Sequence, residues 1–83
     1  EVDVIFELDG RLYPMEIKGK SALTGHDSSG IRAFRQTYGE EKVGNGLIIY
    51  AGKECYRIDR DTIALPWNSV LGQQAGSEHI GLT

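Results

Sequence analysis

The sequence predicts a small α/β domain: a mixed sheet with a β-hairpin, one crossover helix and further antiparallel strands. Asp9-Gly10 is a strong two-residue turn signal between two runs of strand character, residues 2–8 and 11–18. An amphipathic segment follows, and then a short unbroken apolar stretch at residues 47–51. The order of strand, helix and buried strand is typical of a right-handed βαβ unit, here added to the hairpin.

The turn also predicts the register of the hairpin. If Leu8 faces Arg11, then Asp3 faces Glu16 across the two strands. Because side chains alternate along a strand, Asp3, Glu16 and Lys18 share one face of the hairpin. The apolar side chains share the other face, which we expect to be core: Val2, Val4, Phe6, Leu8, Met15 and Ile17.

The amphipathic segment predicts a helix that Ser28 or Ser29 can cap. Its apolar residues Ile31, Phe34 and Tyr38 fall at positions i, i+3 and i+7, so we expect them to be core. The preceding loop is interpreted simply as a loop with a cap near its end.

Two short strands are expected near residues 54–58 and 62–65, joined by a polar turn. We assign residues 1–71 to one domain, interpreted as a fragment of a longer protein. Residues 72–83 lack apolar periodicity and are expected to form a loosely ordered tail.

Composition narrows the class of protein. The single cysteine excludes an internal disulfide, and the sequence contains no signal peptide, so we expect a cytoplasmic protein. It contains no apolar stretch of about 18 residues, so we expect no membrane segment. With 12 acidic and 9 basic residues, the net charge of −3 has the wrong sign for coating nucleic acid. Any contact with nucleic acid must therefore come from a local patch.

The hairpin carries the candidate chemistry. Two carboxylates directly opposite each other repel, because their Cβ atoms lie only about 4.5–5.5 Å apart. A divalent cation that bridges Asp3 and Glu16 removes this repulsion, and Mg²⁺ prefers such ligands together with substrate phosphate. Lys18, on the same face, can stabilise the charge that develops on a phosphate under attack. The three residues predict a site that hydrolyses phosphodiesters.

Asp3, followed after the turn by Glu16-Ile17-Lys18, resembles the Asp and Glu-x-Lys residues of the PD-(D/E)XK nuclease superfamily. The chain is most similar to the C-terminal nuclease-like domain attached to AAA-type ATPases of bacteria and archaea. Four stretches carry this resemblance: residues 1–5, 12–18, 30–35 and 64–67.

The resemblance implies a restriction-endonuclease-like core, here lacking its first helix. It implies Mg²⁺ or Mn²⁺ bound by Asp3, Glu16 and the backbone carbonyl of Ile17, with Lys18 assisting catalysis. The implied partners are nucleic acid, DNA in particular, and an upstream ATPase domain of the same protein. We also expect a homodimer, because a sheet with one helix leaves apolar area and strand edges uncovered.

Other interpretations remain open. Lys18 can simply pair with Glu1, and an exposed pair of this kind contributes about 0–1 kcal/mol. Arg32, Arg35 and Gln36 on the helix can contact phosphate, or can be ordinary solvated side chains. The rival function is a catalytically silent module that docks an AAA-type ATPase or nucleic acid.

Overall fold

The structure is a computed structural model that describes residues 1–69. The predicted tail, residues 72–83, lies outside the described residues. A 3₁₀ turn (Gly25–Ser28) leads directly into the helix α1 (Ser29–Tyr38). The strands are β1 (Val4–Leu8), β2 (Arg11–Ile17), β3 (Gly46–Tyr50), β4 (Tyr56–Asp59) and β5 (Thr62–Pro66).

The strands form one mixed sheet in the order β1-β2-β3-β5-β4. The outer pairs, β1 with β2 and β4 with β5, are antiparallel, whereas β3 runs parallel to both of its neighbours, β2 and β5. Helix α1 lies in the crossover between β2 and β3. The predicted α/β fold with a hairpin, a crossover helix and two further strands is confirmed.

The hairpin has the predicted turn and register. Asp9 and Gly10 both adopt positive φ angles, 53° and 80°, as the tight two-residue turn of an Asp-Gly pair requires. Leu8 pairs with Arg11, and the regular ladder continues to the pair of Val4 and Met15.

The core lies on the face of the sheet that we expected to be charged. Glu16 pairs with Ile48 of β3, and Ile48 packs with Ile31 of α1 in the buried cluster. On the opposite face of the hairpin, predicted to be core, Phe6 is 54% and Ile17 62% exposed, and Val4 and Leu8 are exposed as well. The prediction was wrong for these four residues because α1 covers the Glu16 face, and no described element covers the other. Met15 is half-buried, and Val2 is half-buried and packs against the buried cluster.

The apolar stripe of α1 is only partly core. Ile31 is completely buried, as predicted, and Phe34 is half-buried. Tyr38 is 53% exposed, which contradicts the prediction, and its ring packs against that of Phe34 at a tilt of 43° with a centroid distance of 4.6 Å. Among the described residues, no helix is both long enough and apolar enough to cross a membrane.

Candidate functional site

Glu16 is the second-last residue of β2 and lies beneath the N-terminal turn of α1. It is only 1% exposed. Oε1 lies 3.3 Å from the Lys18 ammonium, whereas buried Oε2 accepts no hydrogen bond within the described part of the chain and lies 3.4 Å from the amino group of Glu1. The sheet therefore holds a carboxylate inside the protein with one oxygen that accepts no hydrogen bond and contacts only the Glu1 amino group among the charged groups of the described residues.

Gly30 of α1 makes room for this carboxylate. A Cβ atom at position 30 would collide with Oε2 of Glu16 and would lie 2.7 Å from the Glu1 nitrogen. The first turn of α1 can approach Glu16 this closely only because residue 30 has no side chain.

Asp3 is hydrogen-bonded to Met15 and Ile17, the two residues that flank Glu16, but it lies outside the regular ladder. The ladder ends at Val4 and Met15, and the Asp3 amide donates to the Met15 carbonyl over 2.9 Å. Oδ2 of Asp3 accepts a 2.8 Å hydrogen bond from the Ile17 amide. The expected direct pair of Asp3 and Glu16 is thus not one of the ladder's regular pairs, and the exposed Asp3 carboxylate caps the end of the hairpin.

Lys18 is fixed next to the end of β3, because its amide donates to the Ile49 carbonyl over 2.8 Å. Its ammonium lies 3.3 Å from Glu16 and 3.9 Å from Oδ1 of Asp27. Lys20 lies on the other side of Asp27, and its ammonium donates to both carboxylate oxygens over 3.0 and 3.1 Å. Lysines and buried carboxylates therefore alternate in one continuous cluster.

Asp27 was missed as a site residue by the sequence interpretation. It is 7% exposed, and its Oδ2 accepts a 2.7 Å hydrogen bond from the Thr24 amide in a capping box. The Thr24 amide and the Lys20 ammonium lower the pKa of Asp27, so the carboxylate is charged at neutral pH. The Thr-x-x-Asp spacing was a signal for the cap. No local pattern signals that the cap also binds two lysines.

Arg35 has a structural role. The residue is 7% exposed, and its guanidinium donates to the carbonyls of Val43 and Gly44 over 2.7 and 2.8 Å. It fastens α1 to the chain that leads into β3. This internal use of its donors argues against the predicted contact of Arg35 with phosphate.

Arg32 and Gln36 line a cavity of about 160 Å³ together with Arg35. The other lining residues are Glu40, Asp59, Arg60 and Asp61. Burial raises the pKa of Asp59. Hydrogen bonds from the Asp61 amide, Ser28 and Arg32 lower it by more, so the pKa lies below its ordinary value. Three arginines thus share this cavity with three carboxylates whose side chains are 30–67% exposed, and these carboxylates compete with an anion for the guanidinium groups.

The predicted metal ligands form a small set. Within residues 1–69, no three His, Cys, Asp or Glu side chains are arranged to bind a metal ion. Asp3, Glu16 and the Ile17 carbonyl supply two carboxylates and one carbonyl, which suffices for an ion that keeps water or phosphate as its other ligands. Oε2 of Glu16 accepts no hydrogen bond, so it can serve as a ligand for such an ion in place of its contact with the Glu1 amino group.

One protein-family model, described as a domain of unknown function (DUF4143), matches residues 1–70. Domains of this kind are often found with AAA ATPases. No curated protein and no solved structure gives a significant match.

Proposed function

The chain belongs to this family of unknown function, DUF4143, and from that premise we propose that Glu16 and Lys18 are the centre of a metal-dependent nuclease site. The reaction is hydrolysis of nucleic-acid phosphodiester bonds that depends on Mg²⁺ or Mn²⁺. It takes place in a domain of a larger, ATPase-linked protein.

The observation that carries the proposal is the buried carboxylate of Glu16. Burying an ionised carboxylate costs several kcal/mol unless its charge is paired and its oxygens are hydrogen-bonded. Lys18 approaches only Oε1. Oε2 accepts no hydrogen bond among the described residues, and the Glu1 amino group lies 3.4 Å from it. An unsatisfied buried oxygen in a native fold calls for an explanation, and a bound ion is one.

The ligands proposed for this ion are Glu16, Asp3 and the carbonyl of Ile17. Asp3 is held against the end of β2 by the Ile17 amide, so its carboxylate stays close to the same strand end as Glu16. A divalent ion bound there would polarise a phosphoryl oxygen and acidify a water molecule.

Lys18 is the proposed electrostatic catalyst. Its side chain is 29% exposed, so the ammonium can reach a substrate while it remains 3.3 Å from Glu16. An ammonium fixed at this position stabilises the negative charge that grows on a phosphate during attack. The pairing with Glu16 and Asp27 also orients the ammonium.

A catalytically silent docking module is the second candidate, and the ion-pair cluster favours it. Glu16 and Asp27 are matched by Lys18 and Lys20, so the four side chains already neutralise one another. A cluster that is balanced in this way does not require a metal ion for stability. In this alternative, the domain docks an AAA-type ATPase or nucleic acid.

The proposed partners are DNA and the ATPase part of the same protein, and the proposed location is the cytoplasm. The expected homodimer stays a prediction. The surface that it would cover is the exposed apolar face of the sheet, which includes Phe6, Leu8 and Ile17.

Calorimetric titration with Mn²⁺ separates the two candidates. A nuclease binds Mn²⁺, and Glu16→Gln, which keeps the shape of the side chain but removes its charge, abolishes binding. Glu7→Gln is the matched control, because Glu7 is exposed on the same hairpin and lies about 13 Å along β1 from Asp3. A protein that binds no Mn²⁺, or a Glu16→Gln variant that binds it unchanged, favours the silent module.

A further inference from the structure

The cluster around Asp27 shows a separation of charge by depth. The Lys18 and Lys20 side chains are 29% and 50% exposed, whereas those of Glu16 and Asp27 are 2% and 7% exposed. The surface therefore presents two ammonium groups, and the carboxylates that hold them lie underneath.

Both lysines are attached to a fixed strand end. The Lys18 amide donates to the Ile49 carbonyl over 2.8 Å, and the Lys20 carbonyl accepts a 2.9 Å hydrogen bond from the Ala51 amide. The backbone of this segment thus continues to follow the end of β3 after β2 has ended. The two side chains start from defined positions on the same side of the sheet edge.

Asp27 determines where the two ammonium groups point. Its Oδ1 lies 3.0 Å from the Lys20 ammonium and 3.9 Å from that of Lys18. Asp27 cannot move freely, because the Thr24 amide donates to its Oδ2 over 2.7 Å. One buried and anchored carboxylate therefore draws two flexible lysines together beside Glu16.

We propose that Lys18 and Lys20 form a two-ammonium site for a backbone phosphate of nucleic acid, and that Asp27 is its positioning residue. The inference rests on the site of the proposed function and adds to it Lys20 and Asp27. A lysine ammonium has three donors, so Lys20 keeps at least one for a ligand after it has bonded both oxygens of Asp27. Phosphate is the class of ligand that fixed, exposed ammonium groups bind.

The test measures DNA binding under conditions that prevent cleavage. A fluorescently labelled 20-base-pair DNA duplex is titrated with the full-length protein in EDTA, so that no metal-dependent cleavage occurs, at several salt concentrations. Loss of one phosphate contact lowers the slope of log affinity against log salt by about 0.9 for duplex DNA. We expect Lys20→Gln to show this loss of slope and to bind roughly tenfold more weakly at about 0.1 M salt.

Lys42→Gln is the matched control. It removes the same charge from an exposed residue whose carbonyl contacts Leu12, about 20 Å along β2 from Lys18, so its affinity and slope should stay unchanged. Asp27→Asn tests whether Asp27 positions the lysines. If the variant only gained net positive charge, it would bind DNA more tightly, whereas loss of a positioning residue weakens binding. We expect weaker binding by a variant that thermal melting shows to be folded.

Several outcomes overturn the inference: equal affinities and slopes for Lys20→Gln and Lys42→Gln, tighter binding by Asp27→Asn, or no salt-dependent binding by the unmodified protein. If Asp27→Asn does not fold, the comparison of the two lysine variants decides alone. These results do not depend on the Mn²⁺ titration. If the protein binds DNA through Lys20 but binds no Mn²⁺, the proposed nuclease function fails and the proposed phosphate site stands.

Discussion

The Lys18 ammonium lies 3.3 Å from Oε1 of Glu16, a carboxylate that is buried beneath the first turn of α1. A buried carboxylate needs charged or hydrogen-bonding partners, and Lys18 is the partner of one Glu16 oxygen.

Gly30→Ala should destabilise the protein by about 1–3 kcal/mol, although alanine is the better helix former by about 1 kcal/mol. The added methyl group would collide with the Glu16 carboxylate. Urea unfolding measures the effect, with Gly19→Ala as the control, because a Cβ at position 19 meets no atom within 4 Å. The cost of Gly30→Ala should shrink but not vanish in a Glu16→Ala background, because the close approach to the Glu1 nitrogen remains. An undiminished cost there would show that the Glu16 carboxylate contributes nothing to the clash.

Asp27→Asn should lower stability by about 1–2 kcal/mol at neutral pH, the usual scale for loss of a capping interaction. Because the folded protein lowers the pKa of Asp27 below its ordinary value of 3.8, the stabilisation is complete above that value. It is lost as the pH falls through the lower folded pKa. Urea unfolding of both proteins between about pH 7 and pH 2.5 should show the difference closing only below about pH 4, and a difference that is constant with pH would contradict this.

Arg35→Lys should cost about 2–3 kcal/mol, because an ammonium cannot bond both carbonyls that the buried guanidinium joins. Arg32→Lys is the matched change on the same helix. Its side chain is 51% exposed and pairs with Asp59 over 3.3 Å, so the cost there should not exceed about 1 kcal/mol. Equal costs in chemical denaturation would show that Arg35 does not hold α1 to the strand that follows.

Ile48→Ala and Ile17→Ala test which face of the sheet is core. Ile48 is completely buried under α1, and truncation should cost about 2–5 kcal/mol. Ile17 is 62% exposed on the uncovered face, and its truncation should change stability by no more than about 0.5–1 kcal/mol. A large cost at Ile17 in thermal or urea unfolding would mean that another layer covers this face.

Local features of the sequence predicted what local chemistry determines. The Asp9-Gly10 pair requires a tight turn, the turn sets the register, and the register places Glu16 and Lys18 on one face. The unbroken apolar stretch predicted a strand buried on both faces. The strand β3 is central in the sheet, but only alternate residues are fully buried, and Leu47 and Ile49 on its other face are half-buried.

Long-range contacts determined what the sequence did not predict. Alternation separates the faces of a hairpin, but it does not say which face receives the helix, and α1 packs on the face of Glu16. The link between Asp27 and Lys20 depends on how the loop between them folds back. Arg35 has the sequence pattern of a solvated helix residue, yet it is buried because the chain before β3 passes beside it.

Cleavage of plasmid DNA by the full-length protein in the presence of Mn²⁺ tests the central claim most directly. We expect cleavage by the unmodified protein and none by Glu16→Gln. Lys18→Ala should still bind Mn²⁺, but its cleavage rate should fall by about 10²-fold or more, the scale for loss of one electrostatic stabiliser of the transition state. No Mn²⁺-dependent cleavage by the unmodified protein, or a Lys18→Ala variant that cleaves as fast as it does, would contradict the nuclease function.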